Sequence, residues 1–167
     1  IKTLQDDRFT GAKHFWSCVA VDRPRKEKDL HENIEKYAPE GDFTEEEKIE
    51  FLTNLTGVFP MSMVVSQELI EEFERKFIPP ISEYDPELGV VWFIARGVEK
   101  KKTRNGKDYW VVEVIDSTSK STKIKCWGVK PGHDRVFTNR PYMARLEYDE
   151  QWGFSTRSIR RNFRLLG

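Results

Sequence analysis

Two cysteines, three histidines and no long hydrophobic run are the first constraints on this 167-residue chain. Cys18 and Cys126 stand far apart in different segments, which excludes a disulfide framework and fits a reducing compartment. His14 and Cys18 are spaced i, i+4, yet no second ligand pair at zinc spacing follows, and His31 and His133 are isolated. A membrane span needs about 18 apolar residues in a row and a signal peptide needs a basic, then apolar opening. Neither is present, so no membrane partner is expected and a cytoplasmic location is. The chain also lacks a Gly-rich phosphate loop, G-x-S-x-G and H-E-x-x-H. With no catalytic constellation, it is expected to be catalytically silent, without cofactor, metal or small-molecule substrate. It begins at Ile1 rather than Met and reads as part of a longer protein.

What is present is charge and aromatic surface: 34% charged residues, eleven Phe and five Trp, with 38% hydrophobic residues to build a core. The formal net charge of zero conceals a division. Residues 1–86 hold 11 Lys+Arg against 19 Asp+Glu, a balance of −8, and residues 87–167 hold 17 against 9, a balance of +8. Halves of opposite sign are expected to face different partners, the basic one a phosphate backbone.

The acidic half has helical periodicity. Ala12–Val21 places Phe15, Trp16, Val19 and Ala20 at helical spacing before Pro24 interrupts, and Lys26–Tyr37 repeats the pattern with Leu30, Ile34 and Tyr37. Pro39-Glu40-Gly41-Asp42 breaks the chain. Thr44 and Glu47 then form a capping box for a helix carrying Ile49, Phe51, Leu52 and Leu55, which should stop near Gly57. Ser66 is the expected N-cap of a last helix with Leu69, Ile70, Phe73 and Phe77 as its apolar stripe. Pro79-Pro80 ends it, and Ile81–Glu87 reads as a linker. The expected domains are therefore 1–82, helical, and 83–167.

The basic half alternates with period two. Val90–Val98, Tyr109–Ile115, Lys120–Trp127, Tyr142–Tyr148 and Phe154–Ile159 are five expected strands, with the Asn105-Gly106 pair turning the first into the second. Five short strands with basic loops and aromatics predict an α+β chain: an acidic helical segment, then a five-stranded barrel of the oligonucleotide-binding (OB) type.

Such barrels stack bases on aromatic side chains while cations follow the phosphates. Alternation turns Trp110, Val112 and Val114 to one face and Tyr109, Val111, Glu113 and Ile115 to the other. Ile124 and Cys126 point inward, leaving Lys123, Lys125 and Trp127 in one outer row. The loop between strands one and two concentrates Lys100, Lys101, Lys102, Arg104 and Lys107, a candidate clamp for nucleic acid. Trp152, in the turn before the fifth strand, is a further candidate for stacking, and Arg145 and Arg157 complete the basic set. The competing reading has Trp127 closing the barrel end and the loop as an ordinary solvated hairpin. Gln67, Ile70 and Phe73 have the spacing of a sliding-clamp peptide, although any core-facing amphipathic helix has it too.

From Thr44 onward the segment order resembles the C-terminal region of bacterial and phage DNA polymerase III alpha subunits. EEKIEFLTNLTGVFPMSMVV, ELIEEFERKFIPPISEYDPELGV and ARGVEKKKTRNGKDYWVVEVIDSTSKSTKIKCWG follow one another as that family's helix, linker and OB segments do. Thr103–Lys107 stands at its T-x-x-G-K turn and Ile115-Asp116 at the end of its second strand. The chain departs from the pattern at Val58-Phe59-Pro60-Met61-Ser62, where the family has S-G-H-P-L, and at Ser119, where it has Gly. Residues 1–43 fall at its helix-hairpin-helix segment, echoed by Gly11–Phe15. The resemblance implies a non-catalytic fragment that holds single-stranded DNA template, with replisome proteins such as the sliding clamp as further partners. A free-standing single-strand-binding protein, a tRNA-anticodon module and a protein-interaction module remain alternatives.

Overall fold

A computed structural model describes Phe9 and residues 11–38 and 41–166. The expected break at Pro39-Glu40 lies outside the described residues. The chain divides into two compact units between Leu55 and Thr56. The helix expected over residues 67–77 and the segment after it therefore cluster with the strands. Among the described residues no helix is long and apolar enough to cross a membrane.

The first unit is helical. α1 (Ala12–Trp16) runs directly into a π-helical turn (Ser17–Val21), and α2 (Glu27–Tyr37) and α3 (Glu45–Thr56) follow. Buried polar contacts tie α1 and its extension to α2. His14 Nε2 donates to the Ile34 carbonyl at 2.8 Å, the only polarity a carbonyl permits. Asn33 Nδ2 donates to the carbonyls of Cys18 and Asp22. The Thr44 capping box is formed in both directions: Thr44 N–H to Glu47 Oε2 at 2.8 Å, and Glu47 N–H to Thr44 Oγ1 at 3.2 Å. The apolar face expected on α3 is only partly realised, since Ile49 is buried whereas Phe51 and Leu55 are exposed.

The second unit is a curled sheet, so the chain is α+β. α4 (Gln67–Arg75) is capped by Ser66, whose Oγ accepts from the Leu69 N–H. Seven strands follow: β1 (Val90–Lys102), β2 (Asp108–Ile115), β3 (Thr122–Cys126), β4 (Arg140–Arg145), β5 (Glu147–Asp149), β6 (Gly153–Thr156) and β7 (Phe163–Leu165), with a short α5 (Ile159–Asn162) before β7. The sheet order is β5-β6-β3-β2-β1-β4-β7, and every pairing is antiparallel except β3 with β6. A bulge between Ala95 and Gly97 lets the first half of β1 pair with β4 and the second half with β2. An unpaired residue at that point bends the strand and increases its twist, which curls the sheet.

The strand count differs from the expected five. The fourth expected strand is interrupted at Leu146, which is buried and donates its N–H to the Gly89 carbonyl at 2.9 Å. That bond carries the β1–β4 register one step further, and beyond it the strand leaves β1 and pairs with β6, so the stretch divides into β4 and β5. The fifth expected strand ends at Thr156, because Ser158 caps α5, and β7 is additional. β1 also runs on to Lys102, which places three of the expected loop lysines in a strand.

The core lies inside the curl. Val91, Phe93 and Ala95 of β1 meet Trp110, Val112 and Val114 of β2, Ile124 and Cys126 of β3, and Tyr142 and Ala144 of β4. Each large side chain contributes roughly 1.5–3 kcal/mol when fully withdrawn from water. Ile81 belongs to this core, so the stretch expected as a linker is a strap. Ser82 N–H donates to Asp116 Oδ2 at 2.8 Å, and Tyr84 OH donates to the Leu146 carbonyl at 3.0 Å. The outward face of β1 is covered where Trp92 stacks on Phe73 of α4 at 5.1 Å and Arg96 lies over the Phe59 ring at 4.4 Å. Phe77, expected on the apolar stripe of α4, falls beyond the helix end with φ 55° and is 82% exposed.

Candidate functional site

With the outward face of β1 covered at Trp92, the outer side of β2, β3 and β6 is a further face of the sheet, exposed at Glu113 and Lys123 and partly exposed at Tyr109, Val111 and Lys125. Its register follows from the β2–β3 pairing, in which Trp110 faces Cys126, Val111 faces Lys125 and Glu113 faces Lys123. Tyr109 and Trp127 extend the same row and stack at 4.7 Å between ring centroids, inclined by 23°. Trp127 remains 37% exposed while Trp110, on the other side of the sheet, is 5% exposed. The alternation read from the sequence therefore holds in both strands. Beneath the row, burial pushes the Cys126 thiol up to about 12, so it stays protonated and apolar.

Trp152 approaches the row from the β5–β6 turn. Asp149 Oδ1 accepts the N–H groups of Gln151 and Trp152, both at 2.9 Å, and Gly153 takes φ 75° to complete the turn. The indole, 63% exposed, lies under the Lys125 ammonium at 5.2 Å. Two indoles, a phenol and the cations Lys123 and Lys125 thus occupy neighbouring positions on one face. Flat rings supply stacking surfaces and the ammoniums supply countercharge, a combination suited to an unpaired, polyanionic strand. Glu113, which accepts from Ser121 Oγ at 2.6 Å, is an acidic member of that face.

The five cations near the β1–β2 turn do not act as one loop. Lys100 faces Trp110 across the ladder and lies over its ring at 5.4 Å, closing the core end of the sheet. Lys101 faces Tyr109 and so shares the outer side, where Glu99 pairs with it at 3.1 Å. Lys102 pairs with Asp108 at 3.8 Å. Only Arg104 and Lys107 sit in the turn itself. It is closed by the Thr103 N–H to Lys107 carbonyl bond, at 2.9 Å, and the Lys107 N–H to Thr103 Oγ1 bond, at 3.1 Å. Among the described residues neither has a carboxylate at ion-pair distance.

Arg145 and Arg157 share a cleft, and Arg157 also packs its carbonyl against Gly128, next to Trp127. Arg145 faces Val90 at the end of β4, and both arginines line that cleft, of about 470 Å³, beside Glu87 and Glu147. Arg157 pairs with Glu147 at 3.7 Å. Arg160 and Arg161 lie in α5 and Arg164 in β7. No protein-family model matches the chain, and no curated protein sequence matches it.

Two features lie outside the sequence-derived set. Tyr148 faces Phe154 across the β5–β6 ladder at 4.8 Å, with Tyr84 edge-on to Phe154 at 5.2 Å. This trio borders a hollow that also receives Lys120. The Tyr148/Phe154 pair was findable from the turn at Asp149–Gly153, which fixes the opposite residues. Tyr84 was not, since no local pattern joins it to a strand. The second feature is a basic cleft lined by Lys130, His133, Arg157, Arg160 and Arg161, which no strand alternation could assemble.

Phe73, the residue a clamp-binding peptide would present, is buried against Trp92. Among the described residues no group of three His, Cys, Asp or Glu side chains could hold a metal ion.

Proposed function

We propose that the second unit is an OB-type barrel that holds single-stranded nucleic acid on the outer side of β2, β3 and β6. The topology supports the fold reading. β4 and β5 are separated by Leu146 alone, so they can be counted as one bent strand standing at both ends of the β5-β6-β3-β2-β1-β4 order. Counted so, five strands form a ring with a single parallel pairing, and β7 is an appendage. The observation that carries the functional reading is the Tyr109–Trp127 stack, flanked by Lys123, Lys125 and Trp152 on one uncovered face.

As the sequence resemblance implies, the strand would be template DNA and the parent protein a DNA polymerase III alpha-like subunit, of which this chain is a non-catalytic, cytoplasmic part. The sliding clamp is not carried into the proposal, because Phe73 serves the packing of Trp92. Fluorescence anisotropy with labelled oligo-dT, single-stranded RNA, tRNA and duplex DNA tests the reading. Oligo-dT should bind most tightly, with affinity falling steeply as salt rises, since each phosphate contact adds about 0.7 to the logarithmic salt slope on single strands. A preference for tRNA would move the reading to an anticodon-type module. Absence of oligonucleotide binding at low salt would leave a protein-interaction role.

A further inference from the structure

Beyond Trp127 the chain turns sharply at Gly128, which adopts φ 65°. A Cβ at that position would lie 2.7 Å from the Arg157 carbonyl oxygen, so the close approach of the two segments requires glycine. This approach brings the loop after β3 against the segment after β6 and leaves a cleft of about 700 Å³ between them. Four permanent cations line it, Lys130, Arg157, Arg160 and Arg161, together with His133. The single carboxylate in the lining, Asp134, is engaged by the Lys130 backbone N–H at 2.6 Å, a bond that closes the loop. Among the described residues no Phe, Tyr or Trp lines the cleft, and the His133 imidazole is its one ring. Guanidinium forks match phosphate oxygens in pairs.

We infer that this cleft is a phosphate-binding subsite, taking the backbone phosphates of a strand as it leaves the stacking surface at Trp127. The inference rests on the proposed function and extends it. The continuity is covalent and hydrogen-bonded: Gly128 follows Trp127, Arg157 follows Thr156, and the Trp127 N–H donates to the Thr156 carbonyl at 2.8 Å. A base on Trp127 therefore has its sugar-phosphate chain next to the cleft mouth. The same continuity favours a nucleic-acid strand over a phosphorylated peptide, which would have no use for the adjacent rings.

The full chain and an Arg160→Ala/Arg161→Ala variant are titrated with labelled oligo-dT across a salt series. Both arginines are exposed, so the fold should tolerate the change. Losing two phosphate contacts should lower the magnitude of the logarithmic salt slope by about 1.4. Arg23→Ala/Arg25→Ala, which removes the same charge from the first unit, should leave the slope unchanged. Trp127→Ala should weaken binding at an unchanged slope. An Arg160→Ala/Arg161→Ala slope equal to wild type overturns the cleft and leaves the stacking surface standing. A reduced slope with Trp127→Ala indistinguishable from wild type retains the cleft and removes the stacking surface. Pyrophosphate, followed by NMR, probes the cleft alone. It should perturb the Gly128 and Arg161 amides in the wild type and spare Gly128 in the double variant. No perturbation in the wild type overturns the subsite, whereas perturbation without oligonucleotide binding retains it and refutes the stacking reading. A phosphoserine peptide that competes as well as an oligonucleotide of equal phosphate number overturns the assignment to nucleic acid.

Discussion

Replacing Trp127 and Trp110 separately by alanine distinguishes a binding surface from a core, because the two indoles lie one residue from facing pairs in the same ladder yet on opposite sides of it. Trp110 is 5% exposed and packs in the cluster with Val112, Ile124 and Cys126. Its truncation leaves a cavity in that core and should cost about 3–5 kcal/mol of stability. That is a large share of the roughly 5–15 kcal/mol a small domain has in total. Trp127 is 37% exposed, and the ring contact it makes is with Tyr109. Losing an aromatic pair costs about 0.5–1.5 kcal/mol beyond the area involved, so its melting curve should shift only slightly. Removing a stacking ring costs about 1–3 kcal/mol of single-strand binding, or roughly 5- to 150-fold in Kd. Trp127→Ala should therefore melt near wild type and bind oligo-dT at least about fivefold more weakly. Trp110→Ala should melt far earlier. The assay is a thermal melt beside an anisotropy titration for each variant. If Trp127→Ala unfolds the protein while Trp110→Ala folds and binds weakly, the two faces are exchanged and the strand lies elsewhere.

Phe73→Ala removes the ring stacked on Trp92 and should cost about 3–5 kcal/mol in chemical denaturation while leaving Kd for oligo-dT unchanged among folded molecules; an unshifted denaturation midpoint would refute the covering role of α4. Asp116 is fully buried, and although burial alone would raise its pKa, hydrogen bonds from Ser82 and Thr118 hold it below its ordinary 3.8. Its contribution is thus present at neutral pH and lost as pH falls below about 4. Asp116→Asn should be destabilised at pH 7 by about 1.5–3 kcal/mol for a lost charge-assisted bond and should lose less stability than wild type on acidification. Parallel stability curves for the two proteins between pH 7 and pH 3 would refute it.

Elements that owe their limits to local chemistry were legible in the sequence. The capping box at Thr44, the Ser66 cap and the Thr103–Lys107 turn each depend on residues within four positions of one another, and each is formed. The inward set of β2 and β3 was equally plain, since period two leaves only two choices and the apolar one is buried. What failed depended on residues distant in the chain. Phe77 continues the helical stripe of α4, but the backbone leaves the helix first, and the ring stays exposed. Ile81 looked like linker because Pro79-Pro80 precedes it, and its burial comes from the concave side of a sheet that begins nine residues later. Leu146 fits an alternating strand by composition, and the division there comes from a change of partner, β1 before it and β6 after it.

The candidate site divides along the same line. Lys123, Lys125 and Trp127 share a face because they alternate along one strand. Tyr109 joins them because antiparallel pairing makes its opposite residue calculable once the turn is known. The lysines at 100–102 show the limit of counting charge along a sequence. Three adjacent residues in a strand must point to alternate sides, so Lys100 closes the core end over Trp110 while Lys101 turns outward beside Tyr109. The Lys130–Arg161 cleft was the least accessible to sequence reasoning. Its two walls are joined by one parallel pairing, β3 with β6, and parallel neighbours are brought together by a crossover rather than a turn. No spacing rule places Gly128 against Arg157. The structure alone shows why glycine stands there, for a non-glycine residue would be strained at φ 65° and its Cβ would strike a carbonyl. Gly128→Ala therefore perturbs the cleft while leaving its charges intact. If the cations act through that geometry, it should weaken oligo-dT binding with the double-arginine variant; if net charge alone matters, binding by Gly128→Ala should equal wild type wherever the protein remains folded.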